Sequence, residues 1–296
     1  MPTDDKSPIC IPFILTQLSE YCPPPTLPNC PLFIGLNGPQ GIGKTTLVTA
    51  LSRSLTAHDI PHLVCSIDDF YLTRNTQAAL AVSHPNNPLL SHRGEPGTHD
   101  IPLLLNVLAA LERGEPTDIP RYDKAAFSGL GDRAPKAEWT SVNAPGERKV
   151  RVVLLEGWCV GFRALPEMDI VARHADTSTR TLHMHSLETL LEINEYLKTY
   201  DAVTEKFGAF IHIAASDVMF VYEWRLQQER ELRKERGIGM TDEQVVTFVD
   251  GYFPAYELYL SSLRQYTPQP QKPGTTGRYL RILVDRDRSV LEHYTV

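Results

Sequence analysis

Residues Leu32–Thr46 read LFIGLNGPQGIGKTT, a short apolar run feeding a glycine-rich loop that ends in Lys44 and Thr45. Gly38, Gly43, Lys44 and Thr45 meet the spacing G-x-x-x-x-G-K-[ST], in which each residue type has a physical job around a polyphosphate. The glycines let the backbone curl so that successive N–H groups face phosphate oxygens, while the helix that follows aims its positive dipole end at the same charge. The loop Gly38, Pro39, Gln40, Gly41, Ile42, Gly43, Lys44, Thr45 and Thr46 is therefore expected to hold a nucleoside triphosphate. Lys44 is expected to reach its β- and γ-phosphates, and the Thr45 hydroxyl to ligate Mg²⁺.

Outward from the loop, a helix from Thr45 to Ala57 and a second apolar run, Leu63–Ile67, complete a strand–helix–strand unit of a parallel sheet. Further strands are expected at Val150–Leu155, Ala209–Ile213 and Tyr279–Val284, the last reached through a Pro/Gly-rich loop over 267–277. Helices are expected at Ile101–Arg113, Leu187–Tyr200, Val218–Arg236 and Thr241–Leu263, the last with Thr241 as N-cap and Gln244 at the capping-box position. Ahead of the first strand, Ile11, Ile14, Leu15 and Leu18 stand at helical spacing within Ile11–Tyr21, which ends at the proline run Pro23–Pro25.

The expected fold class is α/β, a doubly wound parallel sheet of the P-loop NTPase/kinase type with ligands at the strand C-termini. Residues 1–30 form an N-terminal helix and Pro-rich linker, and 31–296 the P-loop domain. Within it, the polar stretch 114–149 exceeds an ordinary connection and carries Tyr122, Phe127 and Trp139, so it is read as a binding loop for an acceptor. Residues 218–240 are read as a helical lid, hinged at Gly237-Ile238-Gly239.

Composition removes several classes. A net charge of −7 argues against a nucleic-acid-binding surface, and with it an ATP-driven helicase or packaging motor. The five cysteines are odd in number and contain no C-x-x-C pair, which points to a reducing, cytoplasmic setting without disulfides or a zinc site. The N-terminus has acidic residues where a signal peptide would have basic ones, and its apolar run is too short to span a membrane. His183 and His185 stand two apart, a spacing that does not share a helix face, so neither is read as a metal ligand.

A P-loop alone does not separate switch, motor and kinase, so the other strand ends decide. Asp68 and Asp69 follow the second strand, and Glu156 follows the third, where an acid holds Mg²⁺ directly or through water. A carboxylate near the γ-phosphate that the metal does not need can take the proton of an attacking hydroxyl. Asp68 is assigned that role. The guanine-reading segment N/T-K-x-D and a D-x-x-G after the third strand are both missing, so the base is read as adenine and the γ-phosphate as transferred to a substrate. Arg93, Arg121, Lys124 and Arg133 lie among glycines and prolines of an acidic protein, and such cations suit an anionic small-molecule acceptor with a carboxylate. A nucleotide-dependent binding module, in which ATP orders a partner surface, stays open beside the enzyme.

The segment SIDDFYLT (Ser66–Thr73) resembles the D-x-F-Y segment of the uridine kinase, phosphoribulokinase and pantothenate kinase group, in which the first Asp is the catalytic base; here that is Asp68. RGEPGTHD (93–100), PRYDK (120–124), GDR (131–133), EGW (156–158), WRL (224–226) and MTDEQVVTFVDGYFPAYELYL (240–260) together resemble the D-glycerate 3-kinase family and its fungal branch of ATP-dependent kinases. The resemblance runs from about Leu32 to Leu263; Arg163–Ser186 departs from it. It implies an ATP- and Mg²⁺-dependent kinase acting on an acceptor hydroxyl, D-glycerate first, with another hydroxylated metabolite or a nucleoside as alternatives. Asp69, Tyr71, Arg93, His99, Asp100, Tyr122, Lys124 and Arg133 are placed on the acceptor side. Arg225, in the family-like run, is placed as the cation that closes over the transferring phosphoryl group. The rest of its helix alternates in sign and reads as a solvated face held by i,i+4 pairs such as Glu229 with Arg233.

Overall fold

Six consecutive buried residues, Leu32–Asn37, form β1 at the middle of the sheet. A strand buried on both faces needs apolar side chains on both, which is why LFIGL reads as a run rather than an alternation. Gly35 is part of that fit: a Cβ there would stand 2.6 Å from the Phe210 ring and 2.8 Å from Phe207.

The computed structural model describes residues 4–237, 239–263 and 277–296. In chain order the elements are α1 (Ser7–Glu20), β1, α2 (Lys44–Ala57), β2 (His62–Ser66), α3 (Arg74–Ser83), α4 (Ile101–Glu112), β3 (Thr117–Ile119), β4 (Tyr122–Asp123), β5 (Asp132–Arg133), β6 (Thr140–Val142) and β7 (Val152–Gly157). Then follow α5 (Glu167–Ala175), α6 (Leu187–Lys198), α7 (Asp201–Thr204), β8 (Ala209–Ala215), α8 (Phe220–Arg236), α9 (Asp242–Asp250), α10 (Phe253–Leu263), β9 (Tyr279–Val284) and β10 (Val290–Thr295).

The main sheet runs β10-β9-β8-β1-β7-β2, and β1, β2, β7, β8 and β9 pair in parallel. The expected parallel α/β sheet is present, with one addition at its edge. β10 pairs antiparallel to β9 and carries mostly exposed side chains, so its sequence offers no apolar stripe to read. Chain order reverses between β1 and its neighbours β7 and β8, so the switch point opens beside the C-terminal end of β1, where a parallel sheet gathers its ligand.

Several elements differ from the sequence expectation. The N-terminal helix starts at Ser7 rather than Ile11, with Pro8 in its first turn and the Ser7 amide donating to Asp4. It does not stand apart, since Cys10, Phe13, Ile14 and Leu18 are buried in the main core. The expected helix Thr241–Leu263 is two helices, α9 and α10, joined at Gly251 and Tyr252. Thr241 and Gln244 do form the capping box. Pro254, in the first turn of α10, has no N–H for a continuing ladder, which ends α9. The 114–149 stretch contains two small antiparallel ladders, β3 with β6 and β4 with β5. Residue 238 of the expected hinge and residues 267–276 of the expected loop lie outside the described residues.

Leu154 is fully buried in β7 between β1 and β2. Leu154→Ala is expected to lower the unfolding free energy by about 2–5 kcal/mol, through lost transfer energy and the cavity left behind. Urea denaturation with an unchanged slope checks this; a loss under about 1 kcal/mol would show that the site collapses around the vacancy.

Candidate active site

At the end of β1 the backbone turns through Gly41 (φ 81°) and Gly43 (φ 101°) into α2. Both angles lie in the left-handed region that favours glycine. At Gly43 a Cβ would meet nothing within 4 Å, so conformation alone demands glycine there and the loop mouth is open. At Gly41 space is also short, because a Cβ would stand 2.5 Å from Cβ of Trp224 on α8. The Gln40 amide donates to the Tyr256 hydroxyl (3.1 Å), and Arg288 Nε donates to the Gly41 carbonyl (2.7 Å). The loop is thus braced by α8, α10 and the β9–β10 turn.

Lys44 Nζ donates to the carbonyls of Gly38 (2.8 Å) and Pro39 (3.3 Å), folding back over its own loop. Burial pulls its pKa below the ordinary lysine value, against the opposing charges of Glu156 and Asp68. Glu156 sits near the end of β7, beside β1, and Asp68 just past the end of β2, one strand further on. Ser66↔Glu156 is a register pair of β2 with β7, so the residues that follow Ser66 start level with Glu156. The short 3-10 turn Ile67–Phe70 packs over the strand end at Gly157, where a Cβ would meet Ile67 at 2.5 Å.

Within that turn the two aspartates divide their work. Asp69 completes a capping box with Ser66, and its carboxylate also accepts from the Tyr122 amide (3.2 Å). Each of its oxygens is therefore engaged by a backbone N–H group, which makes Asp69 an anchor for the turn. Asp68 faces the site. Its Oδ2 accepts from Lys124 Nζ (2.5 Å), while Oδ1 is buried with no hydrogen-bond partner among the described residues. Burial pushes the Asp68 carboxyl up, but Lys124, His99 and Lys44 together outweigh it and hold it below the usual aspartate value.

The other residues expected on the acceptor side gather here. The Thr98–Asp100 segment zips onto the chain after Asp68, with Leu72 N donating to Thr98 O (2.9 Å) and Asp100 N to Phe70 O (2.7 Å). Tyr71 and His99 stack at 4.4 Å, and the Tyr122 ring meets Tyr71 edge-on at 5.3 Å. His99 Nδ1 bonds the Tyr200 hydroxyl (2.7 Å), and burial pulls its pKa down to about 4, so the ring is neutral at pH 7. Asp100 caps α4 through Leu103 N and accepts from Arg133 Nη2 at 2.9 Å. Arg133 also donates to Tyr71 O. Arg93 donates to the carbonyls of Gly129, Leu130 and Lys124, pinning the loop. Arg93 and Arg133 thus hold the loop shut. Lys124 stands beside Asp68 with much of its side chain exposed.

Arg225 projects from α8, with Nη1 on Gln228 (3.1 Å), Nη2 on Glu229 (3.4 Å) and its guanidinium 5.1 Å over the Phe248 ring. The expected Glu229–Arg233 pair is corrected: Glu229 takes Arg225 and the Met240 amide, while Arg233 bonds Asp242 of α9. The departing segment Arg163–Ser186 contains α5, and its Arg180 and Thr181 amides donate to Glu257 of α10. Sequence reading missed Glu95, Trp158, Tyr252 and Arg288, which brace or line the site; a glutamate in a Gly/Pro loop carries no signal of burial.

No family profile matches the chain. It is 38% identical to the uncharacterized kinase mug58 of Schizosaccharomyces pombe over 87% of this chain and 89% of that protein. It is 39% identical to the chloroplastic D-glycerate 3-kinase of Arabidopsis thaliana over 88% of its own length, though it spans just 54% of the plant protein. A solved structure of D-glycerate 3-kinase from Cryptococcus neoformans superposes with TM-score 0.86 and 33% identity, covering 99% of this chain and 100% of that one. Fold and site define an ATP-dependent P-loop kinase. The chain belongs to the D-glycerate 3-kinase family.

Proposed function

We propose that this kinase transfers the γ-phosphoryl group of Mg·ATP to a hydroxyl of D-glycerate, and that Asp68 is the base. The observation that carries the reading is the division of labour on one carboxylate: Oδ2 is held by Lys124, and Oδ1 is buried and free to accept a hydroxyl proton. Asp68 accepts the acceptor's proton, the oxygen attacks the γ-phosphorus in line, and the bond to the bridging oxygen breaks, the electron pair leaving with ADP. Lys44 releases its own loop carbonyls and turns to the phosphates, and Arg225 swings from Glu229 over the transferring group.

The metal fits the residues present. The Thr45 side chain is exposed at the head of α2, and Glu156 stands at the end of β7 beside Lys44. A hydroxyl and a carboxylate are hard oxygen donors suited to Mg²⁺, which when bound offsets charge on the β- and γ-phosphate oxygens. Lys124, with much of its side chain exposed beside Asp68, is the cation that suits the acceptor carboxylate. An odd number of cysteines without a C-x-x-C pair fits a cytoplasmic setting, and among the described residues no helix is long and apolar enough to cross a membrane.

The test is ADP release against D-glycerate, L-glycerate, glycerol and uridine. The expected outcome is stoichiometric ADP and phosphoglycerate with D-glycerate and near-background rates with the others. ADP formation indifferent to the acceptor, or faster with uridine, would overturn the reading.

The paired lysine gives a pH prediction. With its pKa held down, Asp68 is ionised and competent above that value and is lost as base when pH falls through it. In Lys124→Met burial stands less opposed, so the acid limb of the kcat/KM profile is expected to move to higher pH. A profile that keeps its acid limb in place would remove Lys124 from the control of Asp68.

A further inference from the structure

Glu95 is 2% exposed, and neither of its carboxyl oxygens has a hydrogen-bond partner among the described residues. An ionised carboxylate left alone in an apolar interior is strongly disfavoured, and burial lifts the Glu95 pKa well above the usual glutamate value. A protonated carboxyl in such a place donates one hydrogen bond and accepts another. The loop does not use it for its own shape. Its turn is held by main chain and Thr98: Thr98 Oγ1 donates to Glu95 O (2.8 Å), Thr98 N donates to the same carbonyl (3.1 Å), and Gly94 N donates to Thr98 Oγ1 (2.9 Å).

The surroundings connect this carboxyl to Asp68. Cys159 and Tyr252 each lie within electrostatic range of both Asp68 and Glu95. His99 Nε2 and Trp158 Nε1 are also buried without hydrogen-bond partners, His99 being four residues from Glu95 and Trp158 packed against Tyr252 at 5.3 Å. With Arg93, Tyr252 and Phe248, Glu95 also lines a cleft of about 750 Å³ between α3 and α9. Buried polar groups left without partners on this loop and around Tyr252 carry a desolvation penalty that a bound ligand rich in hydroxyls would relieve. A cationic group would be poorly placed beside Lys44 and Lys124, and a carboxylate is better met by those cations than by an acid. A hydroxyl, which both donates and accepts, matches.

We propose that Glu95 determines acceptor specificity by hydrogen-bonding a second hydroxyl next to the one that is phosphorylated, so that the acceptor class is a vicinal hydroxy compound. The inference rests on the kinase reading above and names the part of the acceptor that its buried wall recognises. A site built to hydrogen-bond a hydroxyl rejects the analogue lacking it by about 10⁴-fold.

The experiment compares kcat/KM for D-glycerate and for 3-hydroxypropanoate, which keeps the carboxylate and terminal hydroxyl but lacks the middle one, in wild type, Glu95→Gln and Glu95→Ala. Wild type is expected to prefer glycerate by about 10³–10⁴-fold. Glu95→Ala is expected to cut the preference to about tenfold or less with KM for ATP unchanged, and Glu95→Gln, which keeps a donor and an acceptor, to retain most of it. Infrared difference spectra supply a readout independent of turnover: the protonated-carboxyl band missing in Glu95→Gln should shift when glycerate binds wild type and stay put with 3-hydroxypropanoate. A preference that survives in Glu95→Ala, or a band unmoved by glycerate in a working kinase, would overturn this inference alone. Acceptor-independent ADP formation by wild type would overturn the functional reading itself.

Discussion

Asp68→Asn is expected to lower kcat by about three powers of ten, the middle of the range for a positioned general base. The amide keeps the shape of the side chain and an oxygen for Lys124 Nζ, now 2.5 Å away, but it cannot take a proton. ATP binding is expected to change by no more than about threefold, because Asp68 is the second of the two carboxylates whose charges support Lys44, after Glu156. Rapid-quench kinetics beside nucleotide titration separates the two quantities. Asp69→Asn gives the contrast. Asp69 anchors backbone N–H groups of Ser66 and Tyr122, so its substitution should lower Tm and blur both constants together. An Asp68→Asn enzyme within tenfold of wild type would move the base elsewhere.

Arg225→Ala is expected to cost about 10³-fold in kcat, as removal of a phosphoryl-clamping arginine does in related chemistry. Its guanidinium rests on Phe248 and Glu229, and Nε is buried without a hydrogen-bond partner among the described residues. Glu229 is itself 4% exposed, so truncating Arg225 leaves a buried carboxylate with the Met240 amide, and some stability is lost as well. Arg225→Lys distinguishes the roles. A point charge can pair with Glu229 and restore Tm, but it lacks the planar fork and should recover only part of the rate. Full recovery of kcat by lysine, or a loss in kcat that simply follows Tm, would reduce Arg225 to a structural strut.

The parts of this molecule that chemistry constrains tightly were legible in the chain. Gly41 and Gly43 adopt left-handed angles that few other residues tolerate, and Lys44 follows them at fixed spacing. The buried strands betray themselves through runs such as Leu32–Leu36, whose six-residue strand admits no exposed face. The family-like segment singles out Asp68 in the pair Asp68-Asp69, whereas the capping box that occupies Asp69 shows only in the structure. What stayed hidden was local structure without an apolar stripe. α3 buries none of its residues, α5 buries only Ile170, and β10 faces mostly solvent. Gly251 and Pro254 did mark the break between α9 and α10, but the apolar periodicity runs through both and masks it. The cations of the acceptor loop were found as a group, whereas their division into loop clamps and a partner for Asp68 depends on contacts some 30 to 60 residues apart in sequence.

In the proposed reaction one carboxylate readies an acceptor hydroxyl to receive the end group of a triphosphate held in the loop. Its most direct test is the fate of the label from γ-³²P-ATP in a single turnover with D-glycerate, for wild type and Asp68→Asn at equal nucleotide occupancy. Label is expected in phosphoglycerate for wild type, and in bound, unreacted ATP for the variant over the same interval. Label released as inorganic phosphate by both proteins, whether or not glycerate is present, would contradict it.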